Sequence, residues 1–353
     1  MIGVVVVAVA GYVIYISVQY YRIADNTPVE INNLQEAALN VGEQYTAVTY
    51  NIGFGAYDHD FSFFMDSGVM LDGTTVNGEN AVAESEEAVD RNIEGSINMI
   101  INENADFYLL QEVDKDATRS YHINECERII SSVDGYSSLY ASNFHTAYLF
   151  YPLHEPHGKT ESGLLSLSKY NIESAVRISY PVDESFPAKF FDLDRCFTLM
   201  RIPVSNGRQL VLINSHMSAY DEGGIIRAEQ LKKLNEILIE EAEAGNYVIV
   251  GGDFNHALCN TRESFSCMQQ VPVWAYELDD SMIAQGYNVV CADNVNEVAT
   301  CRSSDMAYQP GVNYTCVLDG FIISSNIEAT AHNIDLNFEY SDHNPVRLTF
   351  TLK

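Results

Sequence analysis

A chain of 353 residues, 47% of them hydrophobic, can bury one large core or two smaller ones. Its 49 acidic residues against 19 lysines and arginines give a formal charge of -30, which argues against gripping long nucleic acids by phosphate neutralisation. Seven cysteines, at 126, 196, 259, 267, 291, 301 and 316, form no C-x-x-C pair, so no thiolate zinc or redox site is read, and the odd count leaves at least one thiol free or paired between chains.

Met1 to Tyr21 carries no charge and is rich in valine, isoleucine and alanine. About 20 such residues cross a bilayer as a helix, so residues 1–21 are predicted to form an uncleaved single-pass transmembrane anchor. Ala8-Val9-Ala10 looks like a signal cleavage site, but too few apolar residues precede it for an ordinary signal peptide. Arg22 follows the stretch and no basic residue precedes it, so the charge rule says little about orientation. From the usual arrangement of single-anchor proteins, the folded domain is expected outside the cytoplasm. Residues 22–44 are polar and read as a linker with little structure.

Tyr45 to Ile52 (YTAVTYNI) alternates and is β-branched, predicting a strand that ends at Asn51. The segment from Gly53 to about Ala83, with Phe61, Phe63 and Phe64, is long for a loop. Such loops are functional or disordered, and this one either covers a pocket or packs on its own aromatics. Glu84 to Asn104 has helical spacing (Val89, Ile93, Ile97 and Ile100-Ile101 on one side) with Ser85 as N-cap. Asp106 to Val113 is a strand ending in Gln111-Glu112, and Ser120 to Val133 a second helix. Strands are predicted at Thr146–Tyr151, Ser162–Ser168, Cys196–Val204 and Leu210–His216. A helix over Gly224–Ala244 turns Ile226, Leu231, Leu234, Leu238 and Ile239 inward. Strands at Tyr247–Asn255, Leu318–Ser324 and Val346–Leu352 complete an α/β pattern.

The stretch YVIVGGDFN, Tyr247 to Asn255, carries the chemistry most openly. An apolar strand stopped by glycines presents Asp253 and Asn255, and extended geometry would aim both at one pocket. An anion beside a neutral amide suits holding a water for attack; an Asp/Asn pair closing its own turn is the alternative. Asn51, Glu112, His216 and Asp342-His343 also stand at strand ends, and Asp319 begins one. Singly, Glu112 reads as a surface acid, His216 as a satisfied core histidine and Asp342 as a turn residue before Pro345.

Together, the succession Asn51, Gln111-Glu112, Asn214-Ser215-His216, Gly252-Asp253-Phe254-Asn255, Asp319 and Ser341 to Val346 (SDHNPV) resembles the endonuclease/exonuclease/phosphatase superfamily. That superfamily includes deoxyribonucleases, abasic-site endonucleases, neutral sphingomyelinases and inositol polyphosphate phosphatases. The resemblance covers residues 45–353, read as the catalytic domain. It implies a four-layer α/β sandwich, two packed and mostly antiparallel sheets flanked by helices, here behind an N-terminal transmembrane helix. It further implies Glu112 as the main ligand of Mg²⁺ or Mn²⁺, with Asn51 and Asp342 beside it. Asp253 would orient and deprotonate water, Asn255 steady water or phosphate, and His343, paired with Asp319, contact the phosphate. His216 matches a leaving-group histidine of the deoxyribonuclease branch. Oxygen ligands favour Mg²⁺ or Mn²⁺ over zinc.

Two departures narrow the branch. Inositol phosphatases carry tryptophan-cysteine-aspartate-arginine where this chain has Val317-Leu318-Asp319-Gly320, and abasic-site enzymes carry a lysine where Asp114 stands. Arg195, Arg119, His157 and Lys159 are candidate phosphate contacts. The expected protein is a membrane-anchored, metal-dependent phosphodiesterase acting on a lipid headgroup or small diester. The alternatives are a DNase-like enzyme on DNA, which the charge disfavours, and a silent binding module.

Overall fold

Strands covered on both faces organise the chain. In Tyr247–Asp253 every residue is buried, and in Phe107–Asp114 all but one, because a second sheet lies on one face and helices lie on the other. The computed structural model describes residues 2–219 and 224–353 and places these strands inside two seven-stranded sheets. The first runs Thr27–Pro28, Ser174–Ser179, Cys196–Pro203, Gln209–His216, Tyr247–Asp253, Asp319–Ser324 and Tyr287–Val289. The second runs Ile327–Asn333, Val346–Leu352, Gln44–Asn51, Phe107–Asp114, Gly158–Ser168, Ser137–Leu149 and Ile31–Asn32. One pair in each is parallel, Gln209–His216 with Tyr247–Asp253 and Gln44–Asn51 with Phe107–Asp114, and the other pairs are antiparallel.

The sheets meet face to face through Phe107, Leu109, Leu212, Ile249, Phe321 and Phe350. Helix Glu86–Glu103 covers the second sheet through Val89, Ile93 and Ile97, and helix Ile225–Glu243 covers the first through Leu231, Leu234 and Leu238. This is the expected four-layer α/β sandwich. Each fully buried leucine, isoleucine or phenylalanine contributes about 1.5–3 kcal/mol. A polar clamp fixes one sheet against the other: Gln111 Nε2 donates to Asn214 Oδ1 (2.7 Å), and Asn214 Nδ2 donates to Leu110 O (3.1 Å). Both amides are fully buried, so losing either partner would strand a group at a cost of about 1–3 kcal/mol.

Several local expectations change. Ser85 caps its helix as expected, accepting from the Ala88 N–H. The segment 120–133 splits into a 3₁₀ turn at Thr118–Ser120 and a helix at Glu125–Ser132 capped by Asn124. In the helix Ile225–Glu243, Ile239 is exposed, while Arg227, Gln230 and Glu241 are buried. Arg227 reaches the Asn255 carbonyl at 2.6 Å, so this helix face is polar because it braces the site. Residues 22–44 are not a loose linker: Thr27–Pro28 and Ile31–Asn32 pair at the edges of both sheets, and Leu39 is buried. Pairing of so short a strand depends on its partner, so no local pattern marks it. Cys259 and Cys291 form a disulfide.

The N-terminal helix, Ile2–Gln19, is long and apolar enough to cross a membrane, a test that signal sequences and buried helices also pass. Of its residues only Ile16 is buried. Met1 lies outside the described residues.

Candidate active site at the strand ends

Strand register brings the sequence-distant residues together. In the first sheet His216 pairs with Asp253, which pairs with Asp319, so three polar residues lie side by side. The second sheet contributes Asn51 and Glu112 from its parallel pair and Asp342-His343 from the turn before Val346–Leu352. Asn51 Nδ2 donates to Asp253 Oδ2 at 3.1 Å. His216 Nε2 lies 3.6 Å from Glu112 and 3.7 Å from Asp253. His343 Nδ1 is 2.8 Å from Asp319, and its Nε2 lies 3.8 Å from Asp253.

Two backbone features make this convergence work. Between Leu110 and Val113 the second sheet slips register, and Glu112 adopts φ +57°, a bulge that re-aims its carboxylate toward the cleft. At Gly252 an added Cβ would come within 1.9 Å of Ser215 O, so only glycine lets these two strands approach just before Asp253. After Asp253 the chain does not stay extended. Asn255 turns to φ +49°, its N–H donates to Asp253 Oδ1 (2.8 Å), and its Nδ2 donates to Met217 O (2.8 Å). The pair closes its own turn, and both residues line the cavity.

Charge is distributed unevenly. Burial works against a charged His343, but Asp319, Cys301 and Asp253 outweigh it and hold its pKa well above the ordinary histidine value. Asp319 is pushed up to about 6 by burial, although His343 pulls it down. Burial, then the Asp342 charge, pushes Glu112 up to about 8. His216 lies well below the usual value through burial and then the Arg195 charge. Arg195 Nη1 sits 2.5 Å from His216 Nε2, and because a guanidinium only donates, that imidazole nitrogen accepts.

A divalent cation fits this donor set. Glu112 is a largely buried carboxylate whose protonation is favoured by burial and then by the Asp342 charge, which a bound cation would reverse. Asp253, Asp319 and His343 also present ligand atoms within 4.8 Å of one another. His343 Nδ1 is engaged by Asp319. Asp342 accepts from Ser304 Oγ (2.8 Å), and the Ser341 hydroxyl donates to Asn51 O (2.8 Å). Sequence reasoning assigned no role to either serine; Ser341 opens the SDHNPV motif, while Ser304 carries no local signal.

Glu112, Asp253, Asn255, Asp342 and His343 of this cluster form the floor of a cavity of about 820 Å³ walled by Phe54, Phe63, Phe64, Phe144, Tyr151 and Phe191. The long loop after Asn51 supplies part of that wall and also stacks on itself, with Tyr57 and Phe61 at 4.6 Å. Arg302 pins it by donating to the carbonyls of Asp58 and Phe61. The four candidate phosphate contacts separate. Arg195 lines the cavity, and among the described residues it forms no ion pair with a carboxylate. Arg119 lines it too but is held by both oxygens of Asp114 and lies 3.2 Å over the Phe54 ring. His157 packs near Phe64 and Phe144 as part of the wall, its pKa driven down to about 3 by burial and then the Arg119 charge. Lys159 is not brought to the cavity: it pairs with Asp116 at 2.9 Å, half exposed.

Among curated proteins no sequence matches this chain. Its fold is similar to that of an endonuclease/exonuclease/phosphatase from Beutenbergia cavernae DSM 12333 (16% identity over 88% of this chain and 72% of that one, TM-score 0.57). It is similar to D. rerio TDP2 complexed with single strand DNA product (14%, 88% and 99%, TM-score 0.53). The human Nocturnin catalytic domain with bound sulfate anion is also similar (15%, 92% and 98%, TM-score 0.52). The family model matches residues 48–343, a span that holds every residue of the strand-end cluster, and the chain belongs to the endonuclease/exonuclease/phosphatase family.

Proposed function

We propose that this member is a divalent-cation-dependent phosphodiesterase, held at a membrane, whose substrate is a lipid headgroup or a small phosphodiester. The observation that carries the reading is the pairing of a charged, hydrogen-bonded floor with an aromatic wall in one cavity. Such a hollow suits an ester with a flat or apolar substituent better than a bare polyanion, and the charge of -30 acts in the same direction.

Asp253 takes the water proton. Asn51 and the Asn255 N–H hold its two oxygens, so the carboxylate arrives oriented. His343, kept positive by Asp319, donates from Nε2 to a phosphoryl oxygen. His216 accepts from Arg195 and so fixes that guanidinium toward the leaving-group side. Glu112 and Asp342, with Asn51 adjacent, would hold Mg²⁺ or Mn²⁺, which supplies Lewis-acid neutralisation of the phosphoryl oxygens when bound.

Hydrolysis of bis(4-nitrophenyl) phosphate by the purified chain with Mg²⁺ or Mn²⁺ tests the proposal. Loss of turnover with chelator, and in Asp253→Ala and His343→Ala, is expected. A parent protein with no turnover, or variants that keep it, would reject this assignment. Single-stranded nucleic acid is a second reading, favoured by the wall aromatics, on which bases can stack, and by the DNA product in the TDP2 complex. Comparing sphingomyelin, an oligonucleotide and the small diester in one preparation separates the two.

A further inference from the structure

The N-terminal helix does not stand clear of the domain. The Tyr12 hydroxyl donates to Tyr148 O (3.2 Å) and accepts from the Phe150 N–H (3.4 Å), while the Tyr15 hydroxyl accepts from the Tyr148 N–H (3.2 Å). The Tyr12 and Phe150 rings meet edge-on at 5.4 Å. Residues 148–153 end strand Ser137–Leu149 and begin the turn that joins it to Gly158–Ser168. At that tip Phe150, Tyr151 and Leu153 are 52, 68 and 86% exposed. Beside it, Tyr20 packs on Phe190, which packs on the exposed Phe186. Tyr151 and Phe191 reach the cavity, so this apolar surface runs from the helix to the cavity mouth.

Helix length fixes how deep that surface would lie. At 1.5 Å per residue the 18-residue helix measures about 27 Å, against a hydrocarbon core of about 30 Å. A spanning helix therefore has no turn to spare outside the bilayer. Tyr12 stands seven residues before the helix end at Gln19, about 10 Å inward. Whatever touches Tyr12 lies at that depth. Backbone groups there need internal partners, and the tyrosine hydroxyls supply them to Tyr148 and Phe150.

Resting on the membrane-held reading above, we infer that the 148–153 tip inserts beside the helix into a zwitterionic phospholipid bilayer. Phe150, Tyr151 and Leu153 enter the acyl region, and the cavity mouth opens at the level of the headgroups. A bilayer without net charge is the occupant because a chain of charge -30 is repelled by an anionic leaflet.

The test reconstitutes the full chain in phosphatidylcholine vesicles as Leu153→Trp and, separately, Val9→Trp, with the signal of Trp274 subtracted using the parent protein. Both sites are exposed on the protein surface, so the fold tolerates the probe. Replacing the lipid with dibrominated phosphatidylcholine is expected to quench about half the emission of both. If Val9→Trp is quenched by bromolipid while Leu153→Trp is quenched only by aqueous acrylamide, insertion of the tip is overturned and the anchor stands. If both report water, the anchor fails as well. Shielding of Leu153→Trp that depends on protein concentration without lipid would place a second copy on this surface and overturn the inference.

Discussion

Floor and rim of the cavity are built by opposite means. The floor gathers Glu112, Asp253, Asp342 and His343, backed by the buried Asn51, His216 and Asp319, on strand ends and adjoining turns where register and hydrogen bonds leave little freedom. The rim is made of loop residues such as Met65, Tyr151 and Phe191 and the helix-start residue Ile225, exposed and apolar. A site that must hold reacting groups to fractions of an ångström needs the first kind of support, and a surface that meets a varied or fluid partner needs the second. Under the proposed function, bond cleavage would belong to the floor and substrate choice to the rim.

The contrast is broken most severely at the floor. Asp253→Ala or His343→Ala is expected to lower turnover about 10³-fold or more on every ester alike, measured beside an unchanged circular dichroism spectrum. A variant that lost only lipid turnover would erase the distinction. The wall comes next. With the folded His157 pKa at about 3, the unfolded chain takes up a proton that the folded chain refuses as the pH falls below about 6.5. Stability is complete above that value and declines toward pH 3, by on the order of 3 kcal/mol at pH 4. His157→Phe should flatten this slope, as read by urea denaturation at neutral and acid pH.

Arg195→Ala should raise KM by about 10–100-fold, more than it lowers kcat, because an ionic contact to the ester is lost while Asp253 keeps its orientation through Asn51. A fall in kcat with KM unchanged would tie Arg195 to the transition state alone. At the rim, Leu153→Asp should cut cleavage of a bilayer-embedded diester about tenfold and leave the soluble chromogenic diester untouched. Equal losses on both substrates would deny the rim its separate role. Smallest of all, Lys159→Ala should change neither turnover nor, beyond about 0.5 kcal/mol, stability, since its pair with Asp116 is exposed.

The strand-end residues were legible because each closes an apolar run with a group that the interior would not accept without partners. Tyr247–Asp253 and Phe107–Asp114 show this most clearly. Ser85 was legible for a similar reason, since a cap is a contact across three residues. Edge strands at 27–32, the serines that hold Asp342 and Asn51, and the Cys259–Cys291 bond were not. Each depends on a partner far away in the chain. Lys159 was drawn in by its charge type, and only geometry sends it to Asp116 instead.

By itself the sequence determined which side chains could do chemistry, the α/β pattern and the apolar N-terminal helix, because hydrophobic periodicity and residue type act locally. Tertiary structure decided which of those groups meet. The bulge at Glu112, the parallel register of His216 with Asp253 and the seating of Tyr12 on the 148–153 tip are long-range pairings, and a chain fixes those only when its sheets close on each other.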